Sequence, residues 1–498
     1  MPAAGPRTRR RRHAKPSNTH LLTTLARRAA GLERTHPPAD HTRMNAAALS
    51  NTALAARDLR HVWHPCTQMH DHAGLVPMIP IVRGEGAWLV DADGKRYLDG
   101  ISSWWTNLFG HANPRIGAAL KQQLDTLEHV IFAGFTHEPA IELAEQLVQI
   151  TPPGLDKVFF ADNGSAAIEV ALKMSFHYWL NQGFGEKTRF IALTGSYHGE
   201  TLGALSVSDV ALYRKTYAPL LLTPTLAPSP DAYEAEAGET DRAYAQRCLA
   251  AMRKLLEEQA HETCAVIVEP LVQCAGGMRM YHPDYLAGLR QLCDEFNVHF
   301  IADEIAVGFG RTGTLFACEQ ARVTPDFMCL SKGLTGGFLP LSAVLTRDAI
   351  YEAFYAEYSA GKAFLHSHSY TGNPLACRAA LATLQIFRED PVLERNRVLA
   401  DHLARRLAPF RDHPQVGDVR QTGMIAAIEL VRDKASRTPF DAGERRGLQV
   451  YLHGLKHGAL LRPLGNIVYF MPPYVVTEAD IDHLVDVATA GIEVALAG

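Results

Sequence analysis

The chain has 498 residues, of which 47% are hydrophobic and 20% charged, a composition typical of globular proteins. Its length is too great for one small core and predicts about two to four domains. The formal net charge of -4 excludes a global field that would attract nucleic acid or anionic lipid, and no run of about 18 uncharged apolar residues indicates a membrane span.

The N-terminal segment, residues 1–43, is basic and differs from the rest of the chain. It contains the run PRTRRRRHAKPSNTH, its first acidic residue is Glu33, and it lacks the apolar core of a secretory signal. An organelle transit peptide and a disordered tail both fit this composition, and Met44 is a candidate natural start. We favour a disordered extension, because processing segments are easily over-interpreted.

The cysteines are spread along the chain without a C-x-x-C pair. There are eight: Cys66, Cys248, Cys264, Cys274, Cys293, Cys318, Cys329 and Cys377. In a chain of this length, such spacing favours reduced thiols of a cytoplasmic protein over a disulfide framework or a zinc site.

The first predicted elements of the folded part are a hairpin and two helices. Residues 87–100 (AWLVDADGKRYLDG) hold two apolar runs joined around Asp93 and Gly94, which predicts a β-hairpin. Helical spacing of apolar residues follows at 116–127 and 139–150.

From Lys157 onward, short apolar runs alternate with helical stretches. The runs are KVFFA, TRFIAL, CAVIVEPLV, VHFIADEI, DFMCL and LSAVLT. This alternation predicts an α/β domain with a mostly parallel sheet, of seven-stranded type, covered by helices on both faces. Ligands bind such sheets beyond the carboxyl ends of the strands. Polar residues cluster there in this sequence: Asn163, Gly164, Ser165, Tyr197, His198, Glu269, Asp303, Glu304 and Lys332.

The final stretch, residues 373–498, begins with a long helical pattern and then alternates strands with helices. We predict a smaller α+β domain there, packed with the segment that precedes residue 105. The predicted organisation is therefore an extension (1–43), the first part of the small domain (44–105), a large domain (106–372) and the remainder of the small domain (373–498).

Lys332 is the one charged residue in the apolar and small-residue stretch from Met328 to Pro340. A P-loop lysine follows its glycines and precedes Ser or Thr, whereas here the glycines come after the lysine and Gly333 occupies the Ser/Thr position. A lone lysine is most often structural, so a functional role for Lys332 depends on its partners.

Three partners are candidates. Asp303 ends an apolar strand, so its carboxylate needs a donor such as a protonated pyridine nitrogen, although it could also cap the next turn. Gly164 and Ser165 lie between a strand and a helix, where free N–H groups can bind an anion. Tyr197 could stack on a planar ligand or pack in the core. A lysine, an aspartate and a helix N-terminus are together the requirements of pyridoxal phosphate.

The combined pattern resembles a known family. Asp303-Glu304, the run GFGRTG and a Ser-Lys-Gly whose lysine lies 29 residues after Asp303 are similar to class III aminotransferases of pyridoxal-phosphate fold type I. The stretches WHPCTQM, SSWW, GGMRMYHPDYL, HSYTGNPLAC and RPLGNIVYFMPPY resemble the members of that family that act in biotin synthesis. The resemblance runs from about residue 57 to near the C-terminus. It implies ping-pong transfer of an amino group from S-adenosylmethionine to 8-amino-7-oxononanoate, giving 7,8-diaminononanoate.

The resemblance also implies roles at the cofactor. Lys332 would hold pyridoxal 5'-phosphate covalently and later move a proton. Asp303 would keep the ring nitrogen protonated, while Ile305 and Tyr197 would cover the two faces of the ring.

The resemblance implies a shared phosphate site. Gly164 and Ser165 would bind the phosphate, and a hydroxyl from a second subunit would complete the site. Ser369 occupies that position here, which implies a homodimer with shared active sites.

For the substrates, the resemblance implies an aromatic pocket containing Trp104 and Trp105, with Tyr197 and Gly333 also in contact. Two adjacent tryptophans cannot both face one core if that stretch is extended. Arg462 would bind the carboxylate of 8-amino-7-oxononanoate, because a guanidinium fork matches a carboxylate.

One position departs from the family pattern. Cys66 stands where a tyrosine lines the substrate pocket, so the donor could be S-adenosylmethionine or lysine. Another ω-aminotransferase, acting on ornithine, 4-aminobutyrate or a diamine, is the alternative within the class, and a cofactor-free binding protein is the alternative outside it. The paired tryptophans and Arg462 argue against the first, and Lys332 with Asp303 against the second.

Four further residues carry weaker signals. Arg311 and Glu269 are secondary candidates near the cofactor loops. His366 and His368 do not predict a metal site, because no third ligand has suitable spacing.

Overall fold

The computed structural model describes residues 50–497. The predicted basic extension and the candidate start at Met44 lie outside the described residues. The described chain falls into two compact units, which divide between Trp63 and His64. Within residues 50–497, no helix combines the length with the apolar character that a membrane crossing requires.

The first unit contains helix α1 (Asn51–His61). The side chain of Ser50 caps this helix by accepting a hydrogen bond of 3.3 Å from the N–H of Ala53. A serine at this position satisfies one of the N–H groups that a helix start leaves unpaired.

The described residues of the second unit contain all the strands named below and the remaining helices. The strands are β1 (Ile81–Glu85), β2 (Trp88–Asp91), β3 (Arg96–Asp99), β4 (Lys157–Ala161), β5 (Arg189–Leu193), β6 (Thr225–Ala227), β7 (Thr263–Val268), β8 (Val272–Gln273), β9 (Arg279–Met280), β10 (His299–Asp303), β11 (Phe327–Leu330), β12 (Ser342–Thr346), β13 (Val416–Thr422), β14 (Ile425–Asp433), β15 (Thr438–Pro439), β16 (Ala459–Leu460) and β17 (Ile467–Phe470). The helices are α2 (Pro114–Leu124), α3 (Glu138–Ile150), α4 (Gly164–Asn181), α5 (Leu202–Ser206), α6 (Ala211–Arg214), α7 (Asp241–Gln259), α8 (Asp284–Glu295), α9 (Cys318–Ala321), α10 (Asp348–Glu352), α11 (Pro374–Glu389), α12 (Val392–Leu407), α13 (Arg446–Lys456) and α14 (Glu478–Ala497).

A seven-stranded sheet forms the centre of the second unit, in the order β4-β12-β11-β10-β7-β5-β6. Only β12 runs against its neighbours, which confirms the predicted mostly parallel α/β sheet. Alternate residues of β10 face opposite layers, as the period of two requires. Ile301 packs in the core that contains α4, whereas Phe300 and Ala302 pack in the core that contains α7 and α8.

A smaller sheet, β1-β2-β3-β16, joins strands from the two ends of the second unit. The predicted hairpin is confirmed, because β2 and β3 pair antiparallel around a turn in which Gly94 has φ +87°. The late strand β16 then pairs in parallel with β3, through Ala459 and Leu98. The domain boundaries given above stay a prediction.

The segment between β3 and α2 contains an unusual turn. Ser102, Ser103, Trp104 and Trp105 have φ values of 52°, 45°, 72° and 74°, all in the left-handed region that non-glycine residues rarely adopt. The stretch is therefore not extended, and the two tryptophans differ in burial: Trp104 is 38% exposed and Trp105 only 3%.

Candidate active site

A cavity of about 500 Å³ lies beyond the carboxyl ends of the central strands. Residues that directly follow β4, β5, β7, β10 and β11 line it, as expected where parallel strands end together. The predicted residues that the structure brings together around this cavity are Gly164, Ser165, Tyr197, Glu269, Asp303, Ile305, Lys332 and Trp105.

Lys332 enters the cavity from a short turn that follows β11, and its own φ of +34° is unusual for a lysine. Its Nζ lies 4.4 Å from the centre of the Trp105 ring. Part of the side chain is exposed to the cavity, but the surrounding protein desolvates the amine and lowers the pKa of Lys332. Among the described residues, its Nζ has neither a hydrogen-bond acceptor nor a carboxylate in ion-pair contact. Such an amine is suited to attack a carbonyl carbon.

Lys187 shows how the same chain provides hydrogen-bond acceptors for the ammonium group of a structural lysine. This side chain is 4% exposed, and its Nζ donates to the carbonyl oxygens of Ala260, Thr263 and Asn297 at 2.8 to 3.0 Å. Because Lys332 has no comparable acceptors in the described residues, its position is better explained by a reaction partner than by packing.

Asp303 is 5% exposed and is fixed from two sides. Its Oδ2 lies 2.7 Å from Nδ1 of His198, and its Oδ1 accepts a hydrogen bond of 3.1 Å from the N–H of Ile305. These contacts orient the carboxylate at the end of β10, where it lines the cavity.

His198 is a site residue to which the sequence assigned no role. A signal was present, since His198 follows Tyr197 at a strand end and neighbouring residues there point in opposite directions. A buried carboxylate such as Asp303 also requires a donor. The sequence alone could not show which of the nearby polar side chains supplies it.

The start of α4 forms an anion cradle. Asn163 caps this 18-residue helix by accepting a hydrogen bond of 3.1 Å from the N–H of Ala166. A methyl group added at Gly164 would lie 3.0 Å from Cγ2 of Ile305, and one at Gly199 would lie 2.2 Å from Oγ of Ser165. The two glycines therefore allow the backbone to approach closely at the positive end of the helix dipole.

Glu269 positions the loop that carries Tyr197. Its carboxylate accepts hydrogen bonds from the N–H groups of Tyr197 at 3.0 Å and Cys274 at 2.9 Å. Burial is the main cause that raises the pKa of Glu269 to about 7. The side chain of Tyr197 donates from Oη to Oε1 of Glu200 at 2.9 Å.

Arg311 lies behind the site and does not line the cavity. The side chain is 1% exposed and donates to the carbonyl oxygens of Pro472 at 2.8 Å, Asn107 at 3.1 Å and Trp105 at 3.3 Å. It thereby clamps the left-handed turn that carries the tryptophans. The secondary role expected for Arg311 near the cofactor is thus a structural role.

A second group of predicted residues lies together beside Tyr197. The Arg462 guanidinium stands 4.6 Å from the centre of the Trp104 ring and donates to the Cys66 carbonyl oxygen at 3.0 Å. The Cys66 thiol lies 3.8 Å from Oη of Tyr213, whose ring centre is 5.3 Å from that of Tyr197. Tyr213 was not singled out from the sequence, because nothing in its surroundings marks it as a site residue.

Other predicted residues lie away from the cavity. Gly333 packs against Leu108 and Phe309, where an added methyl group would meet both at 3.2 Å. Ser369 is exposed and does not line the cavity within this chain.

His366 and His368 lie side by side, with ring centres 5.0 Å apart. Nδ1 of His366 is 2.8 Å from Nζ of Lys173, and His368 is 3.4 Å from a carboxylate oxygen of Asp162. The described residues contain no cluster of three potential metal ligands. All eight cysteines are free thiols, of which only Cys66 is exposed.

Comparison with known proteins agrees with this geometry. The family description Aminotransferase class-III matches residues 69–490. An adenosylmethionine-8-amino-7-oxononanoate aminotransferase from Geobacter sulfurreducens is 47% identical over 430 residues, which cover 86% of this chain and 95% of that protein. One from Helicobacter pylori is 48% identical over 438 residues, which cover 87% and 96%.

Solved structures show the same similarity. The enzyme of that name from Methanocaldococcus jannaschii has a TM-score of 0.84 and 40% identity, over 89% of this chain and 99% of that one. An omega transaminase from Pseudomonas jessenii in complex with PMP has a TM-score of 0.85 and 32% identity, over 89% and 98%.

The sheet, the strand-end site and these similarities define an α/β enzyme of the pyridoxal-phosphate fold type I class. Within that class, the chain belongs to the class-III aminotransferases. The resemblance found in the sequence motifs is confirmed, and with it the dependence on pyridoxal 5'-phosphate.

The residues present fit this cofactor. The cavity joins an amine without a protein acceptor among the described residues, a fixed carboxylate and a glycine-lined helix N-terminus. These are the groups that a carbonyl carbon, a pyridine nitrogen and a phosphate require.

Glu269→Gln will change how stability depends on pH. The pKa of Glu269 is raised from 4.5 to about 7, so between these values the folded protein holds the proton more tightly than the unfolded chain. The contribution of this carboxyl to the free energy of unfolding therefore falls as pH rises through that window. The difference in unfolding free energy, wild type minus variant, should decline from about pH 4.5 to about pH 7 in denaturant titrations of cofactor-free protein.

The matched control is Glu145→Gln, at an exposed position of α3. Its difference from the wild type should stay flat across the same window. A flat or rising difference for Glu269→Gln would contradict the assignment.

Proposed function

We propose that the protein transfers an amino group from S-adenosylmethionine to 8-amino-7-oxononanoate by a ping-pong mechanism, giving 7,8-diaminononanoate for biotin synthesis. The observation that carries the chemistry is the desolvated amine of Lys332, which has no acceptor among the described residues and shares one cavity with Asp303 and the start of α4. The substrates are those in the names of relatives that are 47% and 48% identical over most of this chain.

Each cofactor-facing residue has a distinct task. The bound cofactor supplies an electron sink for the bonds of the substrate's α-carbon. Lys332 would hold the cofactor and, once displaced by the amino donor, move a proton at that carbon. Asp303, oriented by His198, would hold the proton on the ring nitrogen. Tyr197 and Ile305 would cover the ring faces.

The phosphate site would draw on two subunits. Gly164 and Ser165 would bind the phosphate at the start of α4, where the N–H groups and the helix dipole favour an anion. Ser369 is exposed and does not line this chain's cavity, which is consistent with a residue that serves a second subunit. We therefore propose a cytoplasmic homodimer with shared active sites, in which the small domain combines the two chain ends.

The acceptor site would use the cluster beside Tyr197. Arg462 already stacks on Trp104 and makes only one hydrogen bond within the described residues, to Cys66, so its other N–H groups can bind a carboxylate. Trp105 forms the floor beneath Lys332. Gly333, which directly follows Lys332, packs closely against Leu108 and Phe309 and would border the same site.

The test of the proposed function is a donor half-reaction. Cofactor-loaded protein is mixed separately with S-adenosylmethionine, lysine and ornithine, and the visible absorbance of the cofactor is followed. We expect S-adenosylmethionine to bleach it, and 8-amino-7-oxononanoate to restore it. Bleaching by lysine alone would assign the lysine-dependent form of the reaction, and bleaching by ornithine alone another ω-aminotransferase.

Arg462→Ala should weaken use of 8-amino-7-oxononanoate by about 2–5 kcal/mol, the usual effect of removing one partner of a desolvated charge pair. The measurement is the second-order rate constant of the acceptor half-reaction. Arg462→Lys keeps the charge but loses the fork and the stacking, so its loss should be intermediate. Arg397→Ala, at an exposed position of α12, is the neutral control. An unchanged half-reaction in Arg462→Ala would contradict the assignment.

A further inference from the structure

A corner beside the cavity combines aromatic rings with negative charge. The ring centres of Tyr197 and Tyr213 are 5.3 Å apart and tilted by 60°. The Glu200 carboxylate accepts a hydrogen bond of 2.9 Å from Oη of Tyr197. The polarisable thiol of Cys66 lies 3.8 Å from Oη of Tyr213. We call these four side chains the aromatic corner.

The aromatic corner differs in character from the neighbouring Arg462 region. Arg462 presents a cation stacked on Trp104, which suits a carboxylate. The aromatic corner presents π-faces and the Glu200 carboxylate, which suit a cation. The Arg462 region therefore suits a negatively charged group and the aromatic corner a positively charged one.

Tyr213 remains a neutral phenol. Burial, followed by the Cys66 thiol, raises the pKa of Tyr213, and Arg462 opposes the rise. Among the described residues, its hydroxyl contacts only the thiol of Cys66, a weak hydrogen-bond partner. Its side chain is half-buried, so part of it is exposed to solvent.

We propose that Tyr213 is a specificity residue, whose ring, with Tyr197 and Glu200, selects amino donors that carry a fixed positive charge near the reacting carbon. The donor of this class that fits is a sulfonium-bearing α-amino acid. This inference rests on the proposed function and explains how the site accepts a cationic donor. The ring carries the effect, because a cation is attracted by the π-face rather than by the hydroxyl.

The experiment compares a charged donor with its uncharged analogue. The probes are S-adenosylmethionine and S-adenosylhomocysteine, which lacks the methyl group and hence the sulfonium charge. Rate constants of the donor half-reaction are measured by stopped-flow absorbance on cofactor-loaded protein. Tyr213→Leu should lower the second-order rate constant for S-adenosylmethionine about tenfold, as for the loss of one cation–π contact. The value for S-adenosylhomocysteine should change by less than about twofold.

Two variants complete the design. Tyr213→Phe keeps the ring and should retain the preference for the charged donor, while confirming that position 213 can be changed without loss of folding. Tyr217→Leu removes an exposed tyrosine nearby in the chain and should resemble the wild type.

The possible results distinguish the role of the Tyr213 ring from the proposed function. An equal loss for both probes in Tyr213→Leu, no loss for either, or a loss in Tyr213→Phe as large as in Tyr213→Leu, would overturn the role of the ring. The proposed function would survive each of these results. A wild type that reacts with neither probe would overturn both claims.

Discussion

The desolvated amine of Lys332 is the constraint on which the site depends. Removing an ammonium group from water is costly unless hydrogen bonds or an opposite charge compensate for it. Lys187 receives that compensation from three carbonyl oxygens, whereas Nζ of Lys332 has no hydrogen-bond acceptor among residues 50–497. Burial therefore lowers the pKa of Lys332, which increases the share of the uncharged amine, the form that attacks a carbonyl.

Trp105, which lies beneath the Lys332 amine, is part of a strained stretch of backbone. Trp105 belongs to the left-handed turn, a conformation that costs non-glycine residues about 1–2 kcal/mol each. Contacts from three parts of the chain hold the turn in place. Asp99 accepts hydrogen bonds from its N-terminal part, Ser102 donates to the carbonyl of Met471 at 2.7 Å, and Arg311 clamps its carbonyl oxygens. The buried guanidinium of Arg311 thus helps to hold the indole ring of Trp105 in its position.

Much of the fold follows from local pattern. The apolar runs are long enough, and bounded by clear enough turns, to identify six of the seven strands of the central sheet and their shared carboxyl edge, whereas the three-residue edge strand β6 was not predicted. Because strand ends meet at that edge, the positions of Gly164, Asp303 and Lys332 at the ends of three different strands predict that these distant residues lie together.

What could not be predicted depends on side-chain direction and on irregular backbone. His198 pairs with Asp303, and Tyr213 with Cys66, only because two loops bring them together, and no periodicity encodes this. The left-handed turn contradicts the ordinary preference of its residues, since tertiary contacts impose it. Ser369 does not line the cavity of its own chain, so a single chain cannot reveal its role.

The most direct test of the account is the site of covalent attachment. Cofactor-loaded protein is reduced with borohydride and digested, and its peptides are mapped by mass. The account predicts the cofactor's mass on the peptide that contains Lys332, and loss of turnover by many orders of magnitude in Lys332→Ala. A label on another lysine, such as Lys187, or near-normal turnover in Lys332→Ala, would contradict it.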